Sequence, residues 1–171
     1  MSLAHELDFL ASEVVRNMDF VLRNQSERTY LITADYAKEP LKASAVYLAR
    51  ELNKTYGHNI LVLDFNPAQS DSSADYTNIS TLDFLPSQPN EQERELKIYQ
   101  NECLKHYDFI FALPHVKLQT EKSSLPLLDL EAAFILRSKS SLLPTSKKIL
   151  THMIQDAQLK IAGIVAIGGK A

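Results

Sequence analysis

The chain has 171 residues with 18 basic and 21 acidic side chains, the length of one domain that buries about 70% of its unfolded surface. A net charge of −3 supplies no global field for nucleic acid or an anionic membrane, and the lone Cys103 excludes an internal disulfide framework and a cysteine-based zinc cluster. No apolar run approaches the roughly 20 residues of a membrane span, and the acidic, amphipathic start MSLAHELDFLASE is unlike a signal peptide, so a cytoplasmic protein is expected.

Leu7, Leu10, Val14, Met18 and Val21 recur every three or four residues, which predicts an amphipathic helix over about 4–23. Thr29–Ala34 (TYLITA) is short, apolar and β-branched, a buried strand. Leu41, Ala45, Leu48, Ala49 and Leu52 share one helical face, with Pro40 suited to the first turn and Gly57 just past the end. Asn59–Asp64 (NILVLD) reads as a second strand. Residues 66–90 turn polar and proline-rich, a surface loop with Leu82–Leu85 as its one piece able to pack. A charged helix follows over Glu91–His106, then strands at Tyr107–Leu113 and Leu130–Leu136, with a polar loop over Lys117–Ser124 between them. A helix over Pro144–Ala157 and a fifth strand at Lys160–Ile167 complete the chain. Near-continuous apolar strands alternating with helices imply a three-layer α/β domain: a mostly parallel, Rossmann-like sheet of five or more strands covered on both faces.

Only four glycines occur, where average usage of about 7% would supply about 12. None precedes Gly57, so a standard dinucleotide or Walker A loop after the first strand is excluded. In a parallel sheet, ligands bind at the carboxyl ends of the strands. The candidates there are Thr33 to Lys42, Asp64 and Asn66, Pro114 and His115, Arg137, and Gly168 with Gly169. Asp64 either orients water or a metal or caps its loop. Lys38 and Lys42 either meet an anion or are solvated. The five histidines, His5, His58, His106, His115 and His152, lack metal-ligand spacing and read as surface or packed residues. No nucleophile elbow, zinc-protease motif or paired-cysteine motif is present, and basic residues do not interleave with aromatics as nucleic-acid binding requires.

Taken in order, these segments resemble the cytoplasmic domain of bacterial tyrosine kinases of capsular and exopolysaccharide systems, within the ParA/MinD-type P-loop ATPases. Leu31–Ala49 (LITADYAKEPLKASAVYLA) aligns without a gap on the pattern L-V-T-S-x-x-P-G-E-G-K-S-T-x-x-x-N-L-A. LVLDFNP (Leu61–Pro67) is similar to the D-x-D strand, YDFIFALP (Tyr107–Pro114) to the Y-D-Y-V-I-I-D-T-P-P strand, and AAFILRS and KIAGIVAIGG to the last two. Glu13, Arg16 and Asp19 fall on the E-x-x-R-x-x-R helix of ring assembly, with the last charge reversed. The similarity spans most of residues 10–170, with a middle, 68–105, shorter than the family's.

The resemblance implies a P-loop NTPase-like fold and places a vestigial nucleotide loop on Ala37, Lys38, Glu39, Pro40, Leu41, Lys42 and Ala43. The family's glycines fall on Lys38 and Pro40, its phosphate-binding lysine on Leu41 and its magnesium-binding hydroxyl on Lys42. Asp64 and Asn66 stand at the two D-x-D positions, and the third-strand catalytic aspartate falls on Leu113. The family's tyrosine-rich tail has no counterpart before Lys170-Ala171. Phosphoryl transfer depends on positioning and on charge neutralisation by lysine and magnesium, and those groups are replaced. The expectation is therefore a non-catalytic module without a cofactor. It would bind protein partners in polysaccharide synthesis or export, such as an active kinase paralogue or a membrane chain-length regulator, which would hold it at the inner face of the membrane. Homo-oligomers are compatible with this expectation, and nucleic acid is not a partner. The alternative is an ATPase or kinase-like switch binding ATP and magnesium through a rebuilt site of Lys38, Lys42 and Asp64. A receiver-like phospho-acceptor domain fits less well: one strand–helix unit precedes Asp64 where two are needed, and Asp35 lacks an acidic neighbour.

Overall fold

A computed structural model describes residues 3–34, 41–64, 76–78, 89–113, 129–138 and 158–167. The elements, in chain order, are α1 (Leu3–Asn24), β1 (Thr29–Ala34), α2 (Leu41–Tyr56), β2 (Ile60–Asp64), β3 (Tyr76–Asn78), α3 (Pro89–Cys103), β4 (Phe109–Ala112), β5 (Ala132–Ser138) and β6 (Lys160–Ile167). The six strands form one sheet in the order β3-β2-β4-β1-β5-β6, and every neighbouring pair is parallel. The expected parallel α/β architecture is present.

Alternation along the strands explains the layering. Ile60 and Val62 of β2 face the same side as Tyr30, Ile32, Phe111 and Phe134, where they pack with Val15, Met18 and Leu22 of α1 and Ala45, Leu48 and Leu52 of α2. Leu61 and Leu63, with Ile110 and Ala112 of β4, face the other side and meet Leu96 and Cys103 of α3. The two helical crossovers travel across the sheet in opposite directions: β1 to β2 passes over β4 with α2, and β3 to β4 returns with α3. Crossovers of one hand that run in opposite directions must lay their helices on opposite faces. At the centre, Tyr30, Phe111 and Phe134 form an aromatic cluster with ring centroids 5.0–6.2 Å apart.

Helix ends are closed by local groups. Gly57, at φ 76°, takes the left-handed turn after α2; its N–H donates to the Asn53 carbonyl at 2.8 Å and that of His58 to the Leu52 carbonyl at 3.4 Å. Asn24 returns its side-chain amide to the Phe20 carbonyl at 2.7 Å at the end of α1. Beyond α3, the exposed Arg28 guanidinium donates to the carbonyls of Leu104, Tyr107 and Asp108 at 2.6–3.1 Å and ties that turn to the start of β1.

Several boundaries differ from expectation: β4 is Phe109–Ala112 rather than 107–113, and β5 is Ala132–Ser138 rather than 130–136. β3 lies inside 66–90, the stretch read as loop, because Tyr76–Asn78 pairs with Val62–Asp64 although it carries no apolar run. The charged helix spans Pro89–Cys103 rather than 91–106, since Leu104–His106 form a turn. The expected helix over 144–157, the Leu82–Leu85 island and the 117–124 loop lie outside the described residues.

Candidate functional site

All strands run parallel, so every carboxyl end lies on one edge of the sheet. β1 leads off towards β2 on one side and β5 towards β6 on the other, which puts the topological switch beside β1. At this edge the structure places Thr33, Asp64, Leu113 and the first turn of α2. Thr33 is fully buried and its Oγ1 has no hydrogen-bond partner among the described residues. Asp64 is 4% exposed at the end of β2, flanked in register by Asn78 of β3. On its other side the N–H of Leu113 donates to the Leu63 carbonyl at 2.9 Å.

Leu113 is buried in the apolar cluster beneath α1 and α2. The position that the resemblance assigns to a metal-binding carboxylate is thus part of the hydrophobic core. Leu41 and Lys42 open α2, Lys42 is half-buried, and Ala43 is exposed. That first turn holds no acidic residue and carries Lys42, so a cationic residue stands near the positive end of the helix. Chemically, this edge offers the Asp64 carboxylate, the Thr33 hydroxyl, the Lys42 ammonium and the amino end of α2. Ala37, Lys38, Glu39, Pro40, Asn66, Pro114, His115, Gly168 and Gly169 lie outside the described residues, and Arg137 is placed only as a residue of β5.

The three positions that the resemblance places on an assembly helix separate. Glu13 and Arg16 are exposed on the outward side of α1, with Phe20 on the same side. Asp19 turns inward and is fully buried. Its Oδ1 lies 2.7 Å from Nε2 of His58, and its Oδ2 lies 2.8 Å from the Arg23 guanidinium. The His58 ring is packed edge-on against Phe109 and stacked with Tyr56. This polar cluster sits at the amino ends of the strands, opposite the carboxyl edge, and fixes α1 to the corner between α2 and β2. Sequence reasoning missed it, though a signal existed: Asp19 stands four residues after the buried Val15, beside the apolar stripe.

Gln100 joins three elements away from the edge. Its side-chain amide donates to Oγ1 of Thr29 at 2.8 Å and to the Asp129 carbonyl at 3.0 Å, while its oxygen accepts from the Asp129 N–H at 2.9 Å. Burial pushes the thiol of Cys103 and the phenol of Tyr30 up from their ordinary ranges. Cys103 packs in the apolar cluster with Leu61, Leu63 and Leu96, as a lone buried cysteine is expected to do. Among the described residues, no three His, Cys, Asp or Glu side chains cluster as a metal site, and no helix is long and apolar enough to cross a membrane.

No protein-family model, no curated protein and no solved structure matches the chain.

Proposed function

We propose that this parallel α/β domain is a non-catalytic, P-loop-derived module that works by binding protein partners. Among the partners that the resemblance implies are an active tyrosine kinase paralogue and a membrane regulator of polysaccharide chain length. One observation carries the non-catalytic half of the reading: Leu113 is a core residue at the strand end where phosphoryl transfer would require a carboxylate. An aspartate there would sit among apolar side chains of the α1–α2 face, and an unpaired buried carboxylate is strongly unfavourable. Leu41 at the phosphate-lysine position supports the same conclusion from charge, since leucine neutralises none of a triphosphate.

A second reading, a nucleotide switch with a rebuilt site, is favoured by Lys42 in an acid-free first turn of α2 and by the retained Asp64. Isothermal titration of Mg·ATP and Mg·ADP into the domain separates the two. The expected result is no heat of binding at high micromolar protein. Micromolar affinity, abolished by Lys42→Ala, overturns the proposal in favour of the switch.

A further inference from the structure

α1 and α2 cover the face of the sheet that carries Tyr30, Phe111 and Phe134, and α1 rests against β6 and α2. The chain passes from β4 to β5 and from β5 to β6 in the direction in which β3 leads to β4. Right-handed connections therefore carry it over the face of α3, opposite α1. On the outward side of α1, Glu13, Arg16, Phe20 and Arg23 recur at alternating spacings of three and four, the line along which one helix meets another. All four are exposed, Phe20 by 64%. Glu13 and Arg16 make no hydrogen bond or ion pair with any described residue, although one helical turn separates them. Helical spacing carries the same line back through positions 9 and 6, which are Phe and Glu in the sequence. From its amino end the line thus reads Glu, Phe, Glu, Arg, Phe, Arg. Reversed, it presents the opposite charge at every charged position and a phenylalanine at the others.

We propose that the outward line of α1 is a self-association surface. Two copies meet with their α1 helices antiparallel, about a two-fold axis that passes between positions 14 and 15. Glu13 of each copy then stands opposite Arg16 of the other, Phe20 opposite position 9 and Arg23 opposite position 6. The occupant is a second copy because the line is its own complement in charge when reversed, and a two-fold contact needs no other surface. Charge also selects the direction: parallel pairing would oppose Glu13 to Glu13 and Arg16 to Arg16. Exposed ion pairs are individually weak, so the phenylalanines supply apolar burial while the charges set direction and register. A closed ring would instead need two different surfaces, and Asp19, the third position of the ring-assembly pattern, is buried against His58. The proposal does not depend on the reading of the carboxyl edge.

Sedimentation equilibrium of the full chain over a concentration series, at low and at high salt, tests it. The expected result is an average mass that rises with concentration towards twice the 19.3 kDa of the chain, and rises less at high salt, which screens exposed charges. Glu13→Arg and Arg16→Glu should each give a monomer, because each sets two like-charged pairs across the axis. The double variant should restore the dimer. Both side chains are exposed, so circular dichroism and Tm should not change. Phe20→Ala should weaken association about tenfold. A chain that stays monomeric up to about 1 mM overturns the proposal. So does a dimer that survives either single reversal, or a double variant that folds as the natural chain does and stays monomeric. Should the reversals disturb the fold, a dimer whose dissociation constant is unchanged by Phe20→Ala overturns it equally.

Discussion

The side chain that departs furthest from its ordinary place is Asp19, a fully buried carboxylate on a helix that is otherwise apolar on its inner face. A buried charge persists only when paired, and His58 and the exposed Arg23 provide the two partners. Asp19→Ala leaves the His58 ring against Phe109 and Tyr56 without its acceptor, while His58→Ala leaves the buried carboxylate with Arg23 alone. Each should lower stability by about 3 kcal/mol in urea unfolding. The double variant should lose less than the sum of the single losses by about 1 kcal/mol or more. Strict additivity would mean that the pair does not couple α1 to the α2–β2 corner. The pair was not legible in the sequence because its members stand 39 residues apart. Asp64 was legible as a strand-terminal carboxylate, since the apolar run before it fixes where the strand ends.

Among the described helices, α3 is the least apolar, and it is attached by one apolar and one polar set of contacts. Leu96 and Cys103 pack against β2 and β4, and Gln100 links it to Thr29 of β1 and to Asp129 before β5. Gln100→Ala removes all three bonds at a buried position and leaves the Thr29 hydroxyl and the Asp129 backbone unpaired. The cost should be about 2 kcal/mol in the same assay, and the α3 amides should exchange faster than those of α2. A change below a few tenths of a kcal/mol would show that water replaces these bonds at no cost. The element boundaries show where pattern reading works. β1 and β6 appear at the expected residues because strands buried in a parallel sheet are written as unbroken apolar runs. β3 was invisible because it is three residues long and is held by pairing with β2.

For the whole molecule, the order of the strands governs how the fold is reached. β1 pairs with β4 and β5, which begin 80 and 103 residues after it, and not with the next strand in sequence. Few of its contacts are local, so loop closure must precede most of the stabilising burial. Refolding should accordingly take milliseconds to seconds, with β1, β4 and β5 gaining exchange protection together. Stopped-flow refolding in microseconds, or β1 protected before β4, would show that local structure leads instead.

The alternation of apolar runs with amphipathic helices was enough to specify a parallel sheet covered on both faces, because strand burial and helix amphipathicity are local properties of the chain. The scarcity of glycine excluded a standard phosphate loop for the same reason: positive φ is a property of single residues. Tertiary structure alone decided that β4 enters between β2 and β1, that Asp19 turns in to His58 and that β6 lies outermost on its side among the described strands. Each of these depends on which distant segments meet, and contacts across 39 to 103 residues leave no periodicity in the segments that make them.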